Sequence, residues 1–310
     1  MQAMKRAVID IGTNSTLFLS GELDKECRVR NIKQVFNVTR LGEGVLKTGI
    51  ITEKAMERTI KTLTGYAEEV NRSGVSRVYV LGTQVLRIAK NAADFKRLIK
   101  SRFNWDLEIL SEEQEAKYSF IGACDVIGQM KKKVIVMDTG GGSTEIIIGV
   151  KDRIISYQSL PLGAVNLAEI SGMKDMLTEE DRQNLSSLLV QHFYKSSLCN
   201  NINNRMILIG VGGTITTLAA IEKKLTAYQP GKINGTILTK NIINLLFDYL
   251  NGLSLKDRKK IPGLTEGRED IILFGTIIFL TFMELFGLKR IIVSDRGLRF
   301  GYLKWIGMNQ

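Results

Sequence analysis

Two apolar runs in this chain end in aspartate and turn at once through glycine into hydroxyl-bearing residues, well over a hundred positions apart. The first is Ala7-Val-Ile-Asp10-Ile-Gly12-Thr13-Asn14-Ser15. The second is Val134-Ile-Val-Met-Asp138-Thr-Gly140-Gly141-Gly142-Ser143-Thr144-Glu145. A strand that ends this way exposes successive backbone N–H groups, and such a nest with hydroxyls beside it suits a phosphate or a metal-bound phosphate. One turn of this kind says little, because Asx turns and tight hairpins use the same residues. The same strand–Asp–Gly–hydroxyl order used twice implies two related half-molecules facing one polyanionic ligand.

The rest of the pattern repeats too. The first half reads as strands near 4–10, 14–21 and 27–40, then an amphipathic helix over 53–72 with Thr52 as N-cap. A short buried strand (78–81), a basic helical segment (91–102), a strand (107–110) and a helix (112–127) capped by Ser111 complete it. The second half reads as strands near 133–138, 144–150 and 153–160, helices, a strand at 206–209 running into Gly210, Gly212 and Gly213, helices over 238–250 and 268–286, a strand at 291–293 and a helix over 296–308. Three strands, helix, strand, helix, strand, helix, twice over, is a duplicated α/β unit. At 310 residues the chain has room for two such domains, expected at 1–123 and 124–310.

Composition narrows the partner. A formal charge of +11 favours an anion, which could be a nucleic acid, an anionic membrane or a phosphate polymer. The basic clusters Lys96-Arg97-Lys100-Arg102, Lys131 to Lys133 and Arg258-Lys259-Lys260 lack interleaved aromatics, so nucleic acid is not expected. The apolar stretch Ile271 to Met283 is too short to span a bilayer and reads as a buried helix, so no membrane partner is expected. Cys27, Cys124 and Cys199 show no CxxC spacing, which disfavours zinc and disulfides and points to a cytoplasmic setting. The single histidine, His192, lies far in sequence from every glycine turn, so chemistry here must run on carboxylates, a metal and backbone donors.

Within the second turn, Asp138 and Glu145 stand at a strand end and just inside the next strand, where a tight hairpin brings both to one wall. There they can hold Mg²⁺, while the amides of Gly140, Gly141, Gly142 and Ser143 take phosphate oxygens. Three successive glycines exceed what a plain hairpin needs. Asp10 with Gly12, Thr13, Asn14 and Ser15 is the matching cradle of the first half, with Asp10 expected as a further metal ligand, and a simple Asx-type turn remains its alternative.

The plan resembles the actin-like (ribonuclease H-like) superfamily of sugar kinases, heat-shock ATPases and actin. More specifically, the chain is similar to the exopolyphosphatase / guanosine pentaphosphate phosphohydrolase (Ppx/GppA) family. The blocks that carry the likeness are Ile9 to Ser15, Arg40-Leu-Gly-Glu-Gly44, Gly82-Thr-Gln-Val-Leu-Arg87, Ser111 to Ala116, Asp138 to Glu145, Ser159-Leu-Pro-Leu-Gly-Ala164, Gly210-Val-Gly-Gly-Thr214, Ile261-Pro-Gly-Leu264 and Ser294-Asp-Arg-Gly-Leu298. Thr13 stands where the family usually has serine, and the glutamate-rich block reads Ser111-Glu-Glu-Gln-Glu115-Ala116, with Gln114 replacing the first of two family glutamates.

The resemblance implies two duplicated actin-like domains with an interdomain cleft, and a hydrolase that removes terminal orthophosphate from inorganic polyphosphate. It makes Glu115 the general base that directs water and Arg87 the guanidinium that balances charge on the transferred group. Without it, Glu115 would merely complement a helix start and Arg87 a surface ion pair. It brings Gly212, Gly213 and Thr214 toward a distal phosphate, with tight strand–helix packing as the equal alternative. Mg²⁺ or another divalent cation is implied; assistance by a monovalent cation, and a homodimer, stay open. The closest alternative is removal of the 5′-terminal phosphate of guanosine pentaphosphate, with the penta- or tetraphosphate as partner. A kinase of the superfamily and a non-catalytic binder of polyphosphate or alarmone are the other classes.

Overall fold

The runs Ala7–Ile9 and Val134–Met137 are buried without interruption, as strands covered on both faces are. That places β1 (Lys5–Ile11) and β6 (Lys133–Thr139) inside their sheets. The computed structural model describes residues 4–128, 130–151, 153–195, 197–226 and 229–309. The chain divides into two units, Met1–Gly122 with Leu298–Gln310, and Ala123–Gly297.

In the first unit β1 continues through an antiparallel meander into β2 (Ser15–Leu23) and β3 (Val29–Val38), and β4 (Arg77–Gly82) and β5 (Leu107–Ile109) add in parallel on its other side. The sheet order is β3-β2-β1-β4-β5. In the second unit β6, β7 (Thr144–Val150) and β8 (Arg153–Leu160) form the same meander, while β9 (Ile207–Val211) and β11 (Arg290–Val293) extend it in parallel. A three-residue strand, β10 (Ile237–Thr239), closes that edge antiparallel to β11. The order β10-β11-β9-β6-β7-β8 therefore repeats the first sheet with one strand added. Both units follow one plan, an antiparallel three-strand meander continued by parallel strands, as the duplicated reading expected.

The duplication reaches single side chains. Asn91 pairs both backbone groups of Ile51, the residue before the N-cap Thr52 of helix Glu53–Arg72. Asn251 does the same to Leu177, before the N-cap Thr178 of helix Glu179–Phe193. In each unit an amide side chain stands in for a strand partner and fixes where the helix begins.

The second core is built around helix Ile272–Leu285, every residue of which from Ile272 to Met283 is buried. No helix among the described residues is long and apolar enough to cross a membrane. The C-terminal helix Leu298–Met308 departs from the expected division at 1–123 and 124–310, because it belongs to the first unit. Its Leu298, Phe300, Tyr302, Leu303 and Ile306 close a core with Val8, Leu19, Leu81, Leu110 and Tyr118. Several boundaries also differ from expectation, and the helix expected over 112–127 ends at Ala123 with a 3-10 turn, Cys124–Ile127, after it. Residues 237–239 are strand, with Thr239 capping the helix Lys240–Asn251, and the helix expected from 268 begins at Ile272.

Candidate active site

Parallel strands collect at one end whatever follows them in sequence, and in both units the candidate residues sit at that carboxyl end. In the first unit Ile11, Gly82 and Ile109 are neighbours across β1, β4 and β5. After Ile11 the chain turns tightly, with the Gly12 amide donating to the Ser15 carbonyl at 3.0 Å. The carbonyls of Thr13 and Asn14 accept from Gly42 (2.8 Å), Thr39 (3.0 Å) and Arg40 (2.9 Å). The Thr13 and Asn14 amides find no acceptor among the described residues. Thr83 and Gln84 flank the turn, and the Thr13 hydroxyl lies 3.4 Å from Gln84 Oε1.

Arg87 lies on the short helix Gln84–Ile88 after β4, and Glu115 on helix Glu112–Ala123 after β5. Arg87 Nη1 donates to Glu115 Oε2 at 2.5 Å and to the Leu110 carbonyl at 3.0 Å. Arg87 Nη2 is buried with no hydrogen-bond partner among the described residues. A buried guanidinium nitrogen left unmatched costs free energy unless an acceptor arrives. Glu115 is buried, whereas Glu112 and Glu113 are exposed. Gln114 forms a capping box with Ser111, donating from its amide to Ser111 Oγ and accepting from the Ser111 amide. The replacement of glutamate by Gln114 thus keeps the cap and leaves the Glu115 position untouched.

The second unit repeats the turn. The Gly140 amide donates to the Ser143 carbonyl at 2.9 Å, and the Gly140, Gly141 and Gly142 carbonyls accept from Ala164, Val165 and Asn166. The amides of Gly141, Gly142 and Ser143 have no acceptor among the described residues. Three consecutive free N–H groups on a loop whose carbonyls are turned away form an anion nest. Asp138 and Glu145 are direct partners across β6 and β7, so both side chains leave the same face of the sheet. Glu145 Oε1 also accepts from Ser159 Oγ at 2.9 Å.

A sequence model of the Ppx/GppA phosphatase family matches residues 24–306. The chain belongs to the Ppx/GppA family. It is 27% identical to exopolyphosphatase 2 of Mycobacterium tuberculosis over 97% of this chain and 98% of that one. A bifunctional 3-dehydroquinate synthase/phosphatase of Fusobacterium nucleatum is 30% identical over 94% of this chain, which spans only 45% of that protein. The solved Ppx/GppA family member of Aquifex aeolicus shares 33% identity at a TM-score of 0.81, over 99% of this chain and 98% of that one. A Ppx/GppA chain is a hydrolase of the phosphatase class.

Among the described residues no group of three or more His, Cys, Asp or Glu side chains gathers as a metal cage. Mg²⁺ rarely uses such a cage; it takes one or two carboxylates and completes its shell with waters and phosphate oxygens. Asp138 and Glu145 fit that donor set. A Cβ on Gly212 would come 3.3 Å from Asp138 Oδ1 and one on Gly297 3.6 Å from Oδ2, so two glycines keep space around the carboxylate. Asp10, also expected as a metal ligand, occupies the equivalent penultimate position of β1 in the first unit.

The glycine turn after β9 divides its labour. Gly210 packs, since a Cβ there would meet Ile291 at 2.5 Å. Gly212 has φ +99° and no room, with the Thr139 carbonyl oxygen 2.2 Å from its would-be Cβ. At Gly213 a Cβ would fall 1.9 Å from Arg268 Cζ, so the buried Arg268 guanidinium lies directly over this glycine. Thr214 is buried and packs against Gly275. Arg268 was not among the expected residues; the only local signal is its place shortly after the Ile261-Pro-Gly-Leu264 block. His192 sits half-buried on helix Glu179–Phe193, its carbonyl accepting from Gln158 Nε2 at 3.2 Å, and burial and then Lys195 lower its imidazole.

Proposed function

We propose that the chain is an exopolyphosphatase, which releases orthophosphate from the end of inorganic polyphosphate. The observation that carries this reading is the run of acceptor-free amides at Gly141, Gly142 and Ser143 beside the Asp138–Glu145 carboxylate pair, an arrangement that serves phosphate oxygens and a divalent ion. The match to a mycobacterial exopolyphosphatase over nearly the full length of both chains supports it, and so does the large positive charge.

In this reading the amides of Thr13 and Asn14 and those of Gly141, Gly142 and Ser143 bind phosphate oxygens, while the Gly12 and Gly140 amides close the two turns onto the Ser15 and Ser143 carbonyls and so shape the cradles. Arg87, anchored through Nη1, offers Nη2 to the transferred group, and Arg268 above Gly213 offers a second guanidinium to phosphates further along. Glu115 orients a water and takes its proton as the oxygen attacks phosphorus; the anhydride bond breaks, and the chain leaves one phosphate shorter. Asp138 and Glu145 would hold Mg²⁺ or another divalent cation, and Asp10 offers a carboxylate at the matching position of the first unit. When bound, that ion offsets negative charge on the phosphate oxygens.

The test is phosphate release from long-chain polyphosphate, guanosine pentaphosphate and ATP, each with Mg²⁺ and with chelator. Fastest release from polyphosphate, abolished by chelator, is expected. Turnover of the pentaphosphate faster by about an order of magnitude would transfer the assignment to the nucleotide.

A further inference from the structure

Among the sequence blocks that have so far carried no role are Arg40 to Gly44 and Ser159 to Ala164. The first follows β3 and the second ends β8 and runs on from it, and each lies against the phosphate turn of its own unit. In the first unit the amides of Thr39 and Arg40 bind the Asn14 carbonyl, and that of Gly42 binds the Thr13 carbonyl. In the second, the amides of Ala164, Val165 and Asn166 bind the carbonyls of Gly140 and Gly141. Both contacts are too close for a side chain. A Cβ on Gly42 would lie 2.3 Å from Thr13 Cγ2, and one on Gly163 2.5 Å from the Gly141 carbonyl. Turning a carbonyl back necessarily turns the following amide forward, because the peptide unit is rigid. These segments therefore aim the free N–H groups.

One side chain locks each segment. Arg58, on helix Glu53–Arg72, donates from Nε to the Thr39 carbonyl at 3.0 Å and from Nη2 to the Arg40 carbonyl at 3.2 Å and to Glu43 at 2.9 Å. It spans a residue held at φ +48°, since Arg40 is one of the few non-glycine positions in the left-handed region. Asn166 is buried and donates from Nδ2 to the carbonyls of Gly142 (2.7 Å) and Pro161 (3.2 Å), tying the turn to its brace.

We propose that Arg58 and Asn166 are positioning residues for phosphate binding, each orienting the turn amides of its unit through the brace behind it. The proposal rests on the turns being phosphate sites, as read above. Neither residue touches substrate in it.

The experiment measures tripolyphosphate binding by calorimetry and steady-state kinetics on polyphosphate for Arg58→Gln, Arg58→Lys, Asn166→Asp and Lys61→Gln. The last changes an exposed lysine of the same helix that makes none of these bonds. Arg58→Gln and Asn166→Asp are expected to weaken tripolyphosphate binding and raise KM by about ten-fold or more while kcat moves less than about three-fold. Arg58→Lys recovers part of the loss, because an ammonium reaches one carbonyl where the guanidinium spans two. Lys61→Gln stays with the parent. Arg58 is half-exposed, so its variants fold and decide the question even if Asn166→Asp does not. Binding within about two-fold of the parent in folded Arg58→Gln, or a fall in kcat at unchanged KM, overturns the proposal. Should the parent bind tripolyphosphate yet release no phosphate, the hydrolase reading falls, while weaker binding by the variants still upholds the braces.

Discussion

Gly212 and Gly213 are neighbours whose side-chain hydrogens face different obstacles. A methyl at Gly212 meets backbone at positive φ, so Gly212→Ala strains the turn and lowers the melting temperature. At Gly213 the obstacle is only the far end of Arg268, and the position opens helix Gly213–Glu222, where alanine is favourable. Gly213→Ala is therefore expected to melt at or above the parent temperature while KM for polyphosphate rises, because the guanidinium must move aside. An unchanged KM would remove Arg268 from the binding surface. Glu115→Gln keeps shape and burial but cannot take a proton, and kcat is expected to fall by about 10²–10⁴-fold with tripolyphosphate binding retained. The motif blocks pointed to Glu115 and Arg87, and the structure pairs them. Arg268 was invisible in the sequence for a physical reason: Arg268-Glu269-Asp270 reads as three surface charges, and only the packing over Gly213 tells them apart.

At the scale of elements, what could be read in advance was what local chemistry decides. Thr52, expected as a cap, begins its helix because its hydroxyl accepts from the amide three residues on, and Thr178, which the sequence reading did not single out, does the same in the second unit. The Thr178 cap is a full box, with Asp181 reaching back to the Thr178 amide and hydroxyl. Thr178→Ala is expected to cost about 1 kcal/mol of stability. Lys174, followed by the Thr178 amide and hydroxyl, lowers the Asp181 carboxyl from 3.8 to about 2. A carboxyl held below its unfolded value adds stability that is complete above the ordinary carboxylate range and is lost as pH falls through about 2. Urea midpoints of the parent are thus expected to fall between pH 4 and 2 more steeply than those of Asp181→Asn; parallel curves would show that the box carries no such linkage. Strand β10 escaped prediction because Ile237-Leu238-Thr239 is too short to show a period, and its pairing with β11 is settled across fifty residues of chain. The start of the Lys240–Asn251 helix follows from the same cause, since Thr239 serves as last strand residue and cap together.

For the molecule as a whole, the duplicated order of strands was open to reading because two apolar runs buried on both faces demand the middle of two sheets. The home of the last helix was not. Nothing in Leu298–Met308 states which sheet it covers; that is decided by long-range packing. Gly301 lets the helix press onto backbone, its would-be Cβ falling on the Tyr118 carbonyl and 2.9 Å from the Gly122 amide. Tyr302 then reaches Glu108 at 3.1 Å, and burial with that neighbouring charge raises its phenol. Burying five large apolar side chains at about 1.5–3 kcal/mol each is comparable to the entire stability of a domain, about 5–15 kcal/mol. Residues 1–122 alone are therefore expected to lack a cooperative transition by circular dichroism. Because Gly301 sits beside Gly122, joining residues 298–310 to residue 122 through a short glycine linker restores one, and residues 123–297 melt cooperatively by themselves. A fragment 1–122 that melts as sharply, and as high, as the linked form would show that this helix only decorates the first unit and that the sheet is sufficient without it.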